Sequence, residues 1–351
     1  MNNLEELLDK FRSGTASWED YSTMLNLEES QLEPFFKLAQ SITSKYFRNL
    51  LKIYIPNKRF PAISITGSEC SLHCDHCNEK YLGEMKAILN NSELEVFLLD
   101  HANDQGLGVL ISGGCESDGS VPLYNFIDTM KKIKSQTNLI INAHTGLLDE
   151  KTAQKLAEAN IDIVSFDINM DQEIIRNIYH LEKDLNDYKK AIDVLNKYDL
   201  NVVPHICVGL YYGKLHKELE SLKFIKKFLK KLDLIVVIAL IPPKFSNKIF
   251  ERPKPIDIAK IITAIRFLFP KTEISLGCMR PRGEIKIEIE KHAINSGITR
   301  IEIPSKKTLQ WLKKINSDVE LQFYSACCAI PSKFEDQAKS KKSDIKRYSK
   351  I

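Results

Sequence analysis

The sequence predicts an α/β fold, a full or partial (β/α) TIM-like barrel with an N-terminal helical extension. Three observations carry that prediction: eight short β-rich runs, amphipathic helical stretches between them, and polar, chemistry-bearing residues that follow the runs. Of the 351 residues, 43% are hydrophobic and 27% charged, which excludes a largely disordered chain. A barrel of about 250 residues with extensions accounts for the length as well as two average domains would.

The elements follow in order. Leu4, Leu7, Leu8 and Phe11 form one helical face, and Phe35, Phe36, Leu38, Ile42, Phe47 and Leu50 another, so residues 1–55 are expected as a helical extension. Strand-like runs lie at 62–66, 109–112, 139–143, 163–168, 202–208, 234–241, 274–276 and 298–303. Helical stretches at 92–105, 123–135, 149–159, 185–198, 215–231 and 256–269 separate them, giving a barrel over 56–310. Residues 311–351 remain as a C-terminal segment that carries Cys327 and Cys328 and ends in a basic, flexible tail. Trp18 and Trp311 fall outside the strands and are expected to pack helices, and Pro242-Pro243 stiffens the loop after the sixth run.

The first residues are charged and lack the apolar stretch of a secretory signal, and the longest apolar run, 234–241, is too short to cross a bilayer. A cytoplasmic protein with no membrane partner is expected. From 332 to 351 there are seven Lys/Arg against three acids, which accounts for the whole formal charge of +4. Such a tail is expected to be a solvated, frayed terminus, or a contact for an acidic protein, and no nucleic-acid partner is expected.

Eight cysteines in a long chain of this kind suggest metal or catalysis before disulfides. Cys70-Ser71-Leu72-His73-Cys74-Asp75-His76-Cys77 gives a C-x3-C-x2-C spacing directly after the first strand. Three soft thiolates on one loop can converge on one metal centre, and three ligands leave a four-iron cluster one open iron. The alternative is a structural zinc site using Cys74, Cys77 and either His73 or His76, although a zinc ribbon needs a second C-x2-C, which Cys327-Cys328 does not supply. Cys115, Cys207 and Cys278 fall at or just beyond the ends of the second, fifth and seventh runs, so in a barrel they face a common cavity. The alternative for these is that they are buried thiols acting as small hydrophobes.

The triplet, in this place, resembles the radical S-adenosylmethionine (SAM) superfamily. The resemblance implies that Cys70, Cys74 and Cys77 hold a [4Fe–4S] cluster whose open iron binds the amino and carboxylate groups of SAM. It implies that Ser112-Gly113-Gly114, after the second strand, contacts the SAM methionine, the glycines letting backbone groups come close. Asp167 and Asn169, on one face after the fourth strand, would hydrogen-bond the ribose. The shared step of that superfamily is cleavage of SAM to methionine and a 5′-deoxyadenosyl radical that takes hydrogen from an unactivated C–H bond.

The regions around the later cysteines, Pro204-His205-Ile206-Cys207-Val208-Gly209 and Gly277-Cys278-Met279-Arg280, resemble biotin synthase and its relatives over roughly 55–330. A strand-three cysteine is missing, with Asn142-Ala143-His144-Thr145 in its place. The resemblance implies an auxiliary iron–sulfur cluster, expected as [4Fe–4S], on Cys115, Cys207, Cys278 and one of Cys327 and Cys328. Adjacent side chains in an extended chain point to opposite sides, so one of that last pair is expected to be spare. Arg280 would correspond to a late cluster-facing arginine, or would pair with a carboxylate. His144 and His205 receive no role.

Ser112-Gly113-Gly114-Cys115-Glu116-Ser117-Asp118, Gly277-Cys278-Met279-Arg280-Pro281-Arg282-Gly283 and Ser325-Ala326-Cys327-Cys328 resemble the components of the archaeal-type split lipoyl synthase. That likeness implies a transferase, a sulfurtransferase of lipoate biosynthesis. It would insert one sulfur into an octanoyl chain on a lysine of a carrier, either a lipoyl domain or a glycine-cleavage H-type protein. A paralogous radical SAM protein and a low-potential electron donor would be its partners. Other biotin-synthase-like chemistry (biotin formation, carbon-skeleton mutation, hydrogenase-cofactor maturation) and an iron–sulfur or zinc redox sensor stand as alternatives.

Overall fold

Local signals set where the first helices begin and end. The computed structural model describes residues 2–244, 246 and 248–348. Helices α1 (Asn2–Ser13), α2 (Trp18–Leu25) and α3 (Glu33–Phe47) come first, α2 being started by a capping box in which Ser17 and Asp20 satisfy each other's backbone N–H. Arg48 takes a left-handed φ of 59° and ends α3, and strand β1 (Leu50–Tyr54) follows. Leu50, expected on a helical face, therefore opens a strand.

The barrel then runs through β2 (Ala62–Ser64), β3 (Lys86–Ala87), α4 (Asn91–Asn103), β4 (Gly108–Ser112), α5 (Ile127–Gln136), β5 (Ile140–His144), α6 (Glu150–Glu158) and β6 (Ile163–Asp167). It continues through α7 (Gln172–Asn177), α8 (Leu185–Lys197), β7 (Val202–Val208), α9 (Glu218–Phe228), β8 (Leu234–Ala239), α10 (Pro255–Leu268), β9 (Glu273–Leu276), α11 (Glu284–Asn295) and β10 (Arg300–Glu302). Helix α12 (Lys306–Ile315), β11 (Glu320–Tyr324) and α13 (Glu335–Ala338) complete it. Acidic and amide N-caps (Asn90, Asp149, Asp171, Asp184) start α4, α6, α7 and α8 by accepting backbone N–H groups.

All strand pairs are parallel, in the order β11-β1-β10-β9-β8-β7-β6-β5-β4-β2-β3. The sheet curls into a partial barrel with β11 and β3 as its edges. All eight expected strands are present, as β2 and β4 to β10. The edge strands β3 and β11 and the inserted β1 are additions, so both outer segments contribute to the sheet and the boundaries at 55 and 310 are not divisions of the fold. Helix α10 is buried on nearly every side because α2 and α3 cover the face it turns away from the sheet, and Phe11 meets Phe267 at 4.8 Å.

Alternation along each strand sends one set of side chains into the barrel. At the amino ends this set is apolar: Ile140, Ile163, Val203 and Leu234 form a floor. After β11 the chain turns back, and Ala326, Cys328, Ala329 and Ile330 pack on that floor. Beside it lies a buried ionic network. Lys52 meets Glu273 at 2.7 Å and Glu335 at 2.8 Å, Arg300 pairs with Glu273 and, at 2.9 Å, with Glu335, and the Tyr54 hydroxyl donates to Glu335 at 2.7 Å.

The C-terminal segment is thus no flexible tail through its described length. Glu335 is buried in the network, Ser325 N donates to Ala338 O, and the buried Tyr348 hydroxyl donates to Pro304 O at 2.7 Å. Its charges hide this in the sequence, because the two acids that tie it down, Glu335 and Asp344, stand among many lysines. Among the described residues no helix is long and apolar enough to cross a membrane.

Candidate functional site

The loop after β2 is built by its own hydroxyls. Ser64 Oγ donates to Gly67 O at 2.6 Å, and Thr66 Oγ1 donates to Glu69 O at 2.9 Å while accepting Gly114 N at 2.7 Å. This brings the end of β4 onto the triplet. Ser71 N donates to Cys115 O at 2.8 Å, and Cys115 N points at Cys70 Sγ at 3.3 Å. From the other side, Asp75 N donates to Ile178 O at 2.9 Å and Cys74 Sγ approaches Tyr179 O at 3.5 Å. His73, Asn78 and Glu79 all carry left-handed φ values between 44° and 58°, a costly backbone for non-glycine residues that the surrounding contacts hold in place.

Cys70, Cys74 and Cys77 therefore share one site. Burial, then repulsion from Cys77, Cys70 and Cys115, pushes the Cys74 thiol far up; burial likewise raises Cys77, and burial with the charges of Cys70, Asp167 and Cys77 raises Cys115 to about 12. Such a group of thiols gives up its protons when a cation enters and neutralises the mutual repulsion. His76 Nδ1 and Asn169 Nδ2 are buried without a partner beside it. The donor set fits a thiolate-held cluster, with polar groups left over for a small molecule at its open corner.

Ser112 ends β4, and Ser112 O accepts Ile65 N at 2.9 Å. The glycines after it serve the loop first. A Cβ on Gly114 would collide with the Glu69 carbonyl and stand 2.6 Å from Cys70 Cβ, and one on Gly113 would meet Thr66 Cγ2 at 3.0 Å. Asn169 Oδ1 accepts Asp171 N at 3.1 Å. Asp167 ends β6 with 51% of its side chain open toward the barrel and His144 Nε2 at 3.1 Å.

Burial opposes the Asp167 charge, but the charge and hydrogen bond of His144, with His205 and His76 beyond, hold its carboxyl down at about 2. Burial lowers His144 too, and the Asp167 charge and hydrogen bond outweigh it, leaving His144 raised; burial drops His205 to about 4. The rings of His144 and His205 are 5.7 Å apart. Sequence reasoning gave these two histidines no role. The signal that finds them is parity: His144, Asp167 and His205 share the inward face near the carboxyl ends of β5, β6 and β7.

The other thiols do not assemble as expected. Cys115 joins the triplet because β4 is the hydrogen-bonded neighbour of β2. Cys207, on β7, packs near Ile174, Ile178, Leu210 and Leu240, and the charges that act on it are those of Asp167 and Glu218. Cys278 follows β9, the neighbour of β10, whose last residue is Glu302, and desolvation, then the charges of Glu302 and Cys327, push its thiol up. One carboxylate oxygen of Glu302 and the sulfurs of Cys327 and Cys328 lie within 4.8 Å of one another. Both adjacent cysteines converge because the chain turns there rather than running extended. All eight cysteines are free.

Arg280 is buried with its guanidinium on Glu290 (2.6 Å) and on the carbonyls of Gly277, Glu302 (2.8 Å) and Ile303. It thus takes the carboxylate-paired role, not a cluster-facing one, and it orients the ends of β9 and β10. Asp171, Glu173 and His216 also lie together, but His216 Nδ1 is 2.5 Å from Asp171, and Lys217 supplies charge to both acids.

Residues 64–228 match the radical SAM superfamily. The biotin synthase of Streptococcus agalactiae serotype III (strain NEM316) is 22% identical over 287 residues, covering 79% of this chain and 83% of that protein. The 7-carboxy-7-deazaguanine synthase of Clostridium acetobutylicum is 23% identical over 171 residues, 45% of this chain and 76% of that one. Among solved structures, methylornithine synthase (PylB) aligns with a TM-score of 0.59 at 19% identity, covering 97% of this chain and 95% of that chain. The hydrogenase maturase HydG aligns at 0.65 and 17%, covering 86% and 68%. The thiol loop after β2 and the strands that follow it through β7 thus lie in a radical SAM domain spanning residues 64–228, and the chain has biotin-synthase-like homologues.

Proposed function

We propose that the chain is a sulfurtransferase of the lipoyl synthase type, which inserts sulfur into an unactivated C–H bond of an octanoyl-lysyl chain on a carrier protein. The observation that carries this reading is the presence of two separate thiol groups in one barrel, one at Cys70, Cys74 and Cys77 after β2 and one at Cys327 and Cys328 beside Glu302, with Cys278 at the end of the adjacent strand β9. A [4Fe–4S] cluster on the first group, with SAM bound, supplies one-electron cleavage of SAM and the 5′-deoxyadenosyl radical.

The chain's own residues orient and enclose. The Thr66–Gly114 hydrogen bond seats the β4 turn against the triplet loop. His144 keeps Asp167 ionised and facing inward, ready to accept hydrogen bonds from a hydroxylated ligand. The packed floor of Ile140, Ile163, Val203 and Ala326–Ile330 closes the barrel below and keeps water from entering there. An auxiliary iron–sulfur centre on the second group would be the sulfide source.

A paralogue would add the other sulfur, a low-potential donor would deliver electrons, and the setting would be the cytoplasm. Lys333, Lys341 and Lys342 are exposed and suit docking of an acidic carrier. The test is anaerobic incubation with an octanoyl-lysyl peptide, SAM and reductant, with and without the paralogue, followed by mass analysis. Added sulfur supports the reading, and 5′-deoxyadenosine without sulfur on the peptide refutes it.

A second reading is favoured by the polar inward ring of His144, Asp167 and His205, which suits a small charged substrate, as for methylornithine synthase. In that case Cys278→Ala would retain product formation.

A further inference from the structure

We propose that the second thiol group is a metal centre of mixed chemistry, with Cys278, Cys327 and Cys328 as thiolate ligands and the Glu302 carboxylate as the fourth. The inference deepens the proposed function, since it assigns the ligands of that function's second centre.

Spacing is the first support. The sulfurs of Cys327 and Cys328 and a Glu302 oxygen lie within 4.8 Å of one another. Ligands on one tetrahedral metal stand about 3.8 Å apart for metal–sulfur bonds of ~2.3 Å, so a small closure brings these three onto a single ion, whereas an iron–sulfur cluster, whose irons each take one such ligand, would need them to spread. Cys278, at the end of β9 beside the strand that ends in Glu302, is placed to supply the fourth ligand.

Charge is the second support. Glu302 is 4% exposed, yet among the described residues no lysine or arginine nitrogen lies within ion-pair distance of its carboxylate. The other interior glutamates are all provided for. Glu273 and Glu335 share Lys52 and Arg300, Glu290 has Arg280, and Glu218 accepts the N–H groups of Gly209 and His216. Arg280 donates to the Glu302 backbone carbonyl, but its ion pair is with Glu290. A buried carboxylate without a countercharge either holds a proton or is joined by a cation, and an entering metal displaces that proton.

Rigidity is the third. Arg300 Nη1 holds Cys328 O at 3.2 Å and also Ile330 O, so the ionic network fixes the turn that presents both cysteines. Three thiolates and one carboxylate suit iron, within an iron–sulfur cluster, or zinc.

The test uses the full chain carrying Cys70→Ala, Cys74→Ala and Cys77→Ala, which removes the first centre. It is reconstituted anaerobically with iron and sulfide, or in parallel with zinc alone. Metal per chain, chelator competition and thiolate-to-metal absorption are then read, with far-UV circular dichroism as the folding check. The expected result is a retained stoichiometric centre, iron–sulfur in one arm or zinc in the other. Adding Glu302→Gln should weaken metal retention at least about tenfold, and Glu302→Cys should restore it.

If the glutamine variant does not fold, the cysteine variant decides: metal bound with an added thiolate band supports the site, and no metal overturns it. Binding of neither metal by the triplet-free chain, or unchanged retention in folded Glu302→Gln, also overturns it. A chain that passes and yet transfers no sulfur to the octanoyl peptide refutes the reaction and leaves the site standing.

Discussion

The two thiol groups are built in opposite ways. Cys70, Cys74 and Cys77 lie within eight residues on one loop, shaped by Thr66, Gly67 and Gly114. Cys278, Glu302, Cys327 and Cys328 come from the ends of three different strands and meet only because β9, β10, β1 and β11 are neighbours and the chain folds back after β11. A local site needs one loop to be right. A non-local one needs the whole curled edge of the sheet, so its integrity is coupled to the buried ions beneath it.

The largest expected effect separates the two groups. Alanine at Cys70, Cys74 or Cys77 should abolish 5′-deoxyadenosine formation and remove about four irons per chain while leaving the second group's metal, whereas Cys278→Ala should do the reverse and Cys207→Ala should change neither metal count. Elemental analysis and product chromatography measure both, and a chain in which Cys207→Ala empties the second group would undo the contrast.

Next in size is Glu335→Ala. It leaves Lys52 and Arg300 short of countercharge in the interior and should destabilise the fold by about 3–5 kcal/mol in urea unfolding. It should also loosen the second group before the first.

Gly114→Ala is smaller and falls on the other side. Driving a methyl into the Glu69 carbonyl and Cys70 should cost about 1–3 kcal/mol and lower cluster occupancy at the triplet, with the second centre unaffected.

The smallest effect is pH-dependent. Because the Asp167 carboxyl is depressed, its contribution is present above the ordinary carboxylate range and is lost as pH falls toward 2. Because His144 is raised above 6.5, its contribution is full below that value and is lost as pH rises through the raised one. The stability gap between wild type and His144→Ala should therefore be widest between about pH 4 and 6.5 and close on either side. It should stay under about 1 kcal/mol, since Asp167 is half open to solvent.

Legibility followed the same division. The triplet and the eight main strands could be read because spacing and period-2 runs are local patterns. Strand β1 could not, since Leu50 continues the apolar series of α3 and only the left-handed Arg48 breaks it. Sequence order groups Cys115 and Cys207 with Cys278 because all three follow strands, but strand ends around a barrel face different neighbours, and the pairing of β4 with β2 turns Cys115 toward the triplet. Glu302 carries no local signal at all: in the sequence Arg300-Ile301-Glu302 is an ordinary charged strand.

What the order of residues determined by itself is the alternation of strand and helix and the three-cysteine loop, because each depends on neighbours a few positions apart. Tertiary structure alone decided which buried acids receive a countercharge, which cysteines meet, and that the lysine-rich end is packed rather than free. Those outcomes depend on which strand ends are adjacent around the barrel and on the cost of leaving a charge unpaired inside it, and neither quantity exists until the sheet has curled.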